Sequence, residues 1–338
     1  MNETDVIKYP EEATIVAAVC AIFFCIIGVI GNAVTVLALL GCQKLRTHAT
    51  TAFVLSLCIS DLLFCSVNLP LTASRYIHKE WVLGDTLCKI FPVFFYGNVA
   101  VSLLNMVAIT LNRYILISCH QYYSRLYSRL SIWIQLLSTW IIAFLTMLPP
   151  LLGVWGKLGL NPSTFSCTIL KKDGKSPKKF FFLIGFVIPC AIIIIAYSCI
   201  YYSVTKSGKR LKAHRPIQEK RKSRRERDDS RLTKLMAIIF LCFLFCFLPL
   251  MLANVFDDNE TKHPWIHILA SIFAWASSVI NPFIYAASNR QYRSAYSKLF
   301  RIVKSSVAFT DSRNNISNSN RSRALEKNVS SKPNIDLL

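Results

Sequence analysis

The chain has 338 residues, of which 53% are hydrophobic and 17% are charged, and its formal net charge is +21. Soluble globular domains average about 45–50% apolar and 25% charged residues, so the composition excludes an ordinary soluble domain. A nucleic-acid-binding protein would carry its basic residues along one face of a soluble fold, whereas here they lie between long apolar blocks. No Cys-x-x-Cys or Cys/His cluster has zinc spacing, so no metal centre is expected.

Seven runs in the chain are long and apolar enough to cross a bilayer as helices, which requires about 20 residues each. The composition therefore predicts an all-α membrane protein, a bundle of seven transmembrane helices. The predicted spans are Ala13–Gly41, Ala49–Ser74, Ile90–Asn112, Leu130–Leu152, Phe180–Val204, Leu232–Phe256 and Pro264–Ala287.

The distribution of basic residues predicts the orientation of the bundle, because Lys and Arg concentrate on the cytoplasmic side. With the N-terminus outside, 28 of the 39 Lys and Arg residues fall in cytoplasmic segments. We therefore expect the N-terminus outside and the C-terminus inside. Asn2 and Asn259 begin Asn-x-Thr sequons on the outer side, where they are candidate glycosylation sites.

The segments outside the spans suggest a division of the chain into four parts. Residues 1–12 form an extracellular N-terminus and residues 13–287 the seven-helix bundle, with a strongly basic third cytoplasmic loop at 205–231 that favours contact with anionic inner-leaflet lipids. Residues 288–302 have aromatic and basic residues at the spacing of an amphipathic surface helix. Residues 303–338 are low in apolar residues and are predicted to be disordered.

Asp61 is the acidic residue that lies deep in a predicted span. A carboxylate in the membrane is costly unless it has polar partners or water, so a functional role is favoured over a neutral aspartate that merely bonds a neighbouring helix. Ser102 lies on a predicted stripe of the third span and offers such a partner. Both interpretations of Asp61 remain open from the sequence.

Sequence motifs in six of the spans occur in the order typical of one receptor family. They are Gly31-Asn32, Leu57-Cys58-Ile59-Ser60-Asp61, Asn112-Arg113-Tyr114, Trp140, Phe247-Leu248-Pro249 and Asn281-Pro282-Phe283-Ile284-Tyr285. Together they resemble the motifs of rhodopsin-like G-protein-coupled receptors. Asn112, Phe247 and the intact NPFIY most resemble a small group of insect receptors related to the melatonin type.

This resemblance implies a disulfide and an activation switch. Cys88 and Cys167 would pair, since both are outer cysteines in the family pattern. The switch residues would be Asn112, Arg113, Tyr114, Tyr197, Asp229, Phe247, Pro249, Asn281, Pro282 and Tyr285. On activation Arg113 would move toward Tyr197 and Tyr285 while the sixth helix swings outward and admits a G protein.

Asn112 departs from the family pattern, which has an acidic residue before the arginine. Because an amide cannot form an ion pair, the sequence predicts either raised basal activity or a resting state that relies on Asp229. Asp228 and Asp229 are equally consistent with solvated charges in a basic loop.

The resemblance also implies an allosteric sodium ion, although no other cofactor is expected. Its candidate ligands are Asp61, Ser102, Ser277 and Asn281. Ser277 stands where many relatives have Asn, which weakens the site. G protein, arrestin and receptor kinase are the implied intracellular partners.

The family positions that define two ligand classes are occupied by unsuitable residues. Phe95 replaces the aspartate of amine receptors, and Trp275 replaces the retinal lysine. We therefore expect a lipid-like or anionic small molecule, with a peptide as the alternative. The candidate ligand contacts are Phe91, Phe95, Tyr96, Phe247, Met251, Asn254, Trp275, Lys171 and Lys172. The two lysines belong to a cluster of six in the second outer loop, for which a solvated charge run is the rival interpretation.

A transporter or channel is the main competing class. Such proteins usually show inverted repeats or several membrane charges along a path. No repeat is visible, and no serine/histidine or paired-acid arrangement within the spans suggests an enzyme.

Overall fold

The computed structural model describes residues 10–46, 48–174, 177–213, 220–256, 264–302 and 304–305. Within these ranges seven helices are long and apolar enough to cross a membrane, which confirms the predicted seven-helix bundle. They are α1 (Glu11–Gly41), α2 (Ala49–His78), α3 (Asp85–Ser118), α4 (Arg129–Leu151), α5 (Lys178–Phe182, a π-helical turn at Leu183–Val187, and Ile188–Ala213), α6 (Lys220–Phe256) and α7 (Pro264–Ser288). A further helix, α8, covers 290–302.

Several helices continue beyond the predicted spans. α6 begins at Lys220 rather than Leu232, α3 begins at Asp85 rather than Ile90, and α2 ends at His78 rather than Ser74. An apolar run marks the part of a helix that contacts lipid, whereas the backbone hydrogen bonds of the helix extend into the polar interface. The extension of α2 has a consequence for the candidate site, because it places Arg75 within the helix.

A two-stranded hairpin that the apolar runs did not predict lies between α4 and α5. Strand β1 (Lys157–Asn161) pairs antiparallel with β2 (Ser166–Leu170), and a short helical turn at Pro162–Thr164 joins them. The predicted disulfide is present: Cys167 of β2 is bonded to Cys88 in the first turn of α3, with a Cα–Cα distance of 5.2 Å. The hairpin is thereby held against the end of the bundle.

The two ends of α3 define the two ends of the bundle. Cys88 lies near its start and Arg113 near its end, 25 residues and about 38 Å apart at 1.5 Å per residue. We call these the disulfide end and the arginine end.

Polar side chains join the helices inside the bundle. The side-chain amide of Asn32 on α1 donates to the Ser278 carbonyl of α7 and to the Gly28 carbonyl, both at 2.9 Å. The indole N–H of Trp140 on α4 donates to the Ser56 hydroxyl of α2 at 3.0 Å. Since lipid offers no hydrogen-bond partners, these contacts fix which helices are neighbours.

The outward faces carry large apolar side chains, as a lipid-facing surface requires. Trp133 and Leu130 of α4 are 71% and 70% exposed, and Phe245 of α6 is 68% exposed. Predicted features at Asn2, Asn259 and the tail from 306 onward lie outside the described residues, as do the side chains of 206–213 and 220–229.

The packing of α3 on α4 is close enough to test by a single methyl group. A Cβ built on Gly97 would lie 2.6 Å from the Phe144 ring, whereas one built on Gly185 of α5 meets nothing within 4 Å. We expect Gly97→Ala to destabilise the receptor by about 1–3 kcal/mol through overpacking.

Thermal unfolding of the purified receptor measures this effect. Gly185→Ala is the matched control and should leave Tm unchanged or raise it slightly, because alanine favours the helix. Gly97→Ala combined with Phe144→Leu should recover part of the loss. Equal Tm values for the two alanine variants would contradict the proposed close packing.

Candidate functional site

A cavity of about 100 Å³ lies at the disulfide end, beneath the hairpin. Four helices and the hairpin form its wall, and most of its lining is aromatic or apolar. Its lining residues are Arg75, Tyr76, Phe91, Phe95, Tyr96, Val99, Thr164, Ser166, Cys167, Thr168, Phe247, Leu250, Met251, Asn254, His267, Ser271 and Trp275. A water needs roughly 10–15 Å³ of such space, so the cavity has room for about seven to ten small atoms.

The aromatic wall is built on α3. The ring centroids of Phe91 and Phe95 are 5.8 Å apart, and those of Phe95 and Tyr96 are 5.4 Å apart with a near-perpendicular arrangement. The Tyr96 hydroxyl hydrogen-bonds the Thr168 hydroxyl of β2 at 3.0 Å. This hydrogen bond and the Cys88–Cys167 disulfide both attach strand β2 to α3.

The structure brings together seven of the nine residues proposed as ligand contacts. Phe91, Phe95, Tyr96, Phe247, Met251, Asn254 and Trp275 all line the cavity. Lys171 and Lys172 are not among its lining residues. The Lys172 ammonium instead donates to the Gly153 carbonyl at 2.6 Å on the exposed surface.

Sequence reasoning missed the cationic side chain of the cavity, which is Arg75. The predicted second span ended at Ser74, so Arg75 was counted among the residues of a loop. Its Nη1 donates to the Thr164 carbonyl at 3.2 Å and its Nη2 to the Tyr76 hydroxyl at 3.1 Å. The available signal was helical spacing, because Thr72, Arg75 and Tyr76 share one face of a continued helix.

A second, smaller cavity of about 10 Å³ surrounds Asp61 in the middle of the bundle. Asp61 is 2% exposed, and its carboxylate accepts hydrogen bonds from the Asn281 amide at 2.8 Å and from the Ser102 hydroxyl at 3.4 Å. The carboxylate therefore joins α2 to α3 and α7. The predicted partnership of Asp61 with Ser102 is present in the structure.

The four residues predicted for a sodium ion all line this small cavity. The Ser277 hydroxyl donates to the Ala274 carbonyl at 2.7 Å, which leaves its lone pairs available as acceptors. Asp61, Ser102 and Asn281 add a carboxylate, a hydroxyl and an amide oxygen, the oxygen donors that hard cations prefer. The residues fit a sodium ion, which would neutralise Asp61 when bound; its presence stays a prediction.

Two residues line both cavities. Phe247 of α6 and Val99 of α3 contribute to the wall of the larger cavity and to that of the Asp61 cavity. Phe243, one turn along α6, stacks on Phe247 with ring centroids 4.5 Å apart. A ligand that displaced Phe247 would therefore alter the surroundings of Asp61 directly.

At the arginine end, Thr50 of α2 connects the two residues of the Asn112-Arg113 pair. The Thr50 hydroxyl donates to the Asn112 side-chain carbonyl at 2.6 Å and accepts a hydrogen bond from the Arg113 guanidinium. All three side chains are at least 98% buried. Thr50 was not predicted, since nothing in the local sequence marks it, and the side chain of Asp229 lies outside the described residues.

Tyr127, in the segment between α3 and α4, also packs near Asn112. Its phenol is largely buried, and burial raises its pKa to about 12, with the neighbouring Tyr123 adding to the rise and the Asn112 side chain opposing it. The phenol is therefore neutral at physiological pH. Among the described residues, the side-chain partners of Asn112 thus include the neutral hydroxyls of Thr50 and Tyr127.

The two tyrosines predicted as later partners of Arg113 have buried hydroxyls. Within the described part of the chain, neither the Tyr197 nor the Tyr285 oxygen makes a hydrogen bond of good geometry, and their polar neighbours are the Thr110 hydroxyl and the Cys58 thiol. The Tyr285 ring stacks on Tyr292 of α8 with centroids 5.0 Å apart, which links the end of α7 to that helix. Tyr114, next to Arg113, is half-buried.

Both proline-containing segments of the switch lie inside helices. Pro249 lies in α6 between Phe247 and Leu250, which both line the cavity, and Pro282 lies in α7 beside Asn281. Each proline removes a backbone hydrogen bond and weakens the helix at that point. A Cβ built on Gly31 of α1 would lie 3.2 Å from Pro282, so α1 packs tightly against the interrupted turn.

Comparisons with known proteins agree with this arrangement. The chain is 57% identical to the protein trapped in endoderm-1 of Drosophila melanogaster, over 88% of this chain and 80% of that protein. It is 35% identical to the G-protein coupled receptor moody of the same species, over 86% of this chain and 52% of moody. A melatonin receptor of type 1B-B from Danio rerio is 29% identical over 87% and 84% of the two chains.

Among solved structures, squid rhodopsin superposes with a TM-score of 0.78 and 26% identity, covering 88% of this chain and 83% of its own. The family described as 7 transmembrane receptor (rhodopsin family) matches residues 31–285. The resemblance to rhodopsin-like and insect receptors is thus confirmed. The chain belongs to the rhodopsin family of seven-transmembrane receptors and is a multi-pass, cell-surface G-protein-coupled receptor rather than an enzyme.

Proposed function

We propose that the receptor binds a small, largely apolar and acidic ligand in the cavity beneath the hairpin and transmits its presence to a G protein at the arginine end. The observation that carries the proposal is the shared wall formed by Phe247 and Val99, which joins the ligand cavity to the Asp61 cavity. A rearrangement in one cavity cannot leave the other unchanged, because packed interiors do not deform freely.

The disulfide end is proposed to face outward. A disulfide forms in an oxidising compartment, and the excess of Lys and Arg falls in the segments at the arginine end. The predicted basic loop at 205–231 and α8 would then meet inner-leaflet lipids and the G protein. Arrestin and receptor kinase are proposed partners of the tail at 303–338.

In the resting state, Thr50 holds Arg113 through its hydroxyl oxygen. Activation requires Arg113 to leave Thr50 and to meet the buried hydroxyls of Tyr197 and Tyr285. Those hydroxyls gain a hydrogen-bond partner in the process, which offsets the bond that Thr50 loses. The arrangement is a two-state element that a ligand can bias.

The direct test uses the purified receptor in lipid nanodiscs and measures nucleotide exchange on a panel of Gα subunits. We expect the wild-type receptor to accelerate exchange on at least one subunit, and Arg113→Ala to abolish that acceleration. A receptor that accelerates exchange on none of the Gα classes would contradict the proposed signalling.

The Thr50 bridge makes a separate prediction about basal activity. Thr50→Val removes the hydroxyl while keeping a similar shape, and a lost hydrogen bond of about 1 kcal/mol shifts the resting equilibrium about fivefold toward the active state. We expect ligand-free exchange to rise by a similar factor.

Thr50→Ser is the matched control, since serine keeps the hydroxyl and should behave like the wild type. Asn112→Asp restores a carboxylate beside Arg113 and should lower basal exchange below the wild-type level. If Thr50→Val, Thr50→Ser and Asn112→Asp all match the wild type, the bridge does not hold the resting state.

A further inference from the structure

We infer that Arg75 is the anchor for an oxyanion, a carboxylate or a phosphate, on the ligand of the cavity at the disulfide end. The inference rests on the proposed function, because it specifies which chemistry that cavity recognises. It differs from the sequence-based expectation, which assigned the anionic contact to Lys171 and Lys172.

The guanidinium of Arg75 has spare hydrogen-bonding capacity at the cavity. It has five N–H donors, of which one Nη1–H and one Nη2–H are used by the Thr164 carbonyl and the Tyr76 hydroxyl. Its Nε is buried and has no acceptor among the described residues. An oxyanion is the acceptor best matched to the fork of a guanidinium, because it accepts two parallel hydrogen bonds.

A second donor without an acceptor lines the same cavity. The Thr164 side-chain hydroxyl is buried and has no hydrogen-bond partner within the described residues. Arg75 donates a hydrogen bond to the Thr164 backbone carbonyl. The Arg75 guanidinium and the Thr164 hydroxyl therefore belong to neighbouring residues of the cavity wall. A hydroxyl rotates freely, and a modest rotation presents it to an anion that Arg75 also binds.

The charge of Arg75 has no counter-ion in the described part of the chain. Lys79, the residue that follows the last turn of α2, does have one: its ammonium lies 2.7 Å from the Glu11 carboxylate. A cation near the apolar bundle is costly without an anion. The chain thus supplies a partner for the outer of the two cations and leaves the inner one facing the cavity.

The existing contacts of Arg75 hold it ready for a ligand. The guanidinium carbon lies 4.3 Å from the centre of the Tyr76 ring, and Tyr76 in turn lies 6.2 Å from Trp275 of α7. An anchor whose side chain is already ordered loses little entropy on binding. Ten of the seventeen lining residues are aromatic or apolar, and the others besides Arg75 include Ser166, Asn254 and Ser271. The occupant therefore combines one acidic group with a short, mainly aliphatic or aromatic body.

Thermal stabilisation of the purified full-length receptor by a defined panel of compounds tests the inference without a G protein. The panel contains straight-chain carboxylates of four to eight carbons, phenylacetate and short alkyl phosphates. Each acid is matched with its primary amide or alcohol. We expect at least one acid to raise Tm while its neutral match does not, with the carboxylate and phosphate arms deciding which oxyanion is preferred.

Substitutions of single basic residues show which side chain binds the acid. Arg75→Gln should weaken binding of the acid about 10- to 100-fold, the effect expected for losing a charged hydrogen bond, and Arg75→Lys should keep part of it. Lys79→Gln and Lys172→Gln are the matched controls, each removing one cation that does not line the cavity, and both should bind like the wild type.

Three results would overturn the inference: no acid stabilises the wild type, an acid and its neutral match stabilise it equally, or Arg75→Gln retains the response to the acid. Loss of the response in Lys172→Gln alone would assign recognition to the lysines instead. The comparison of each acid with its neutral match on the wild-type receptor holds even if Arg75→Gln does not fold. Failure of the signalling proposal is recognised separately, as a lack of nucleotide exchange in a receptor that still binds the acid.

Discussion

The hydrogen bonds between polar side chains inside the apolar bundle are the interactions on which the rest of the structure depends. Lipid cannot satisfy a buried carboxylate or amide, so each such group must find its partner on another helix. Asp61 meets Asn281 and Ser102, and Asn32 meets the Ser278 carbonyl. These bonds place α7 against α1 and α2, and with it the two residues that serve opposite ends of the bundle, Trp275 and Tyr285.

This central layer lies between two sites of different chemistry. The cavity at the disulfide end is lined mainly by aromatic and apolar side chains, with one arginine and several uncharged polar groups, and it shares Phe247 and Val99 with the Asp61 cavity. The arginine end contains buried polar groups, and there the Thr50 hydroxyl hydrogen-bonds both Asn112 and Arg113. α6 and α7, two of the helices that connect the sites, each carry an internal proline that removes a backbone hydrogen bond.

The neighbours of Asn112 explain how a neutral residue at this position interacts with Arg113. An aspartate would attract Arg113 by charge, whereas Asn112 acts on it through the Thr50 hydroxyl. Tyr127, whose pKa burial raises to about 12, extends the neutral environment to the next segment of the chain. Asn112 and Arg113 are thus joined by hydrogen bonds through Thr50 and not by an ion pair between the two side chains.

The sequence by itself determined the seven spans and the family motifs, since apolar runs and motif order can be read along the chain. The disulfide pair followed only from the resemblance to the family, because its cysteines lie 79 positions apart. The Asp61–Ser102 contact also followed from helix spacing, whereas the tertiary structure decided the other polar contacts described above. It placed Arg75 in the cavity wall and Lys172 against Gly153, and it brought Thr50 to Arg113 across 63 positions of the chain. Such contacts depend on helix rotation and on where a helix ends. Hydropathy identifies the residues that enter lipid. It gives neither the position at which a helix ends nor the neighbouring helix that a given side chain faces.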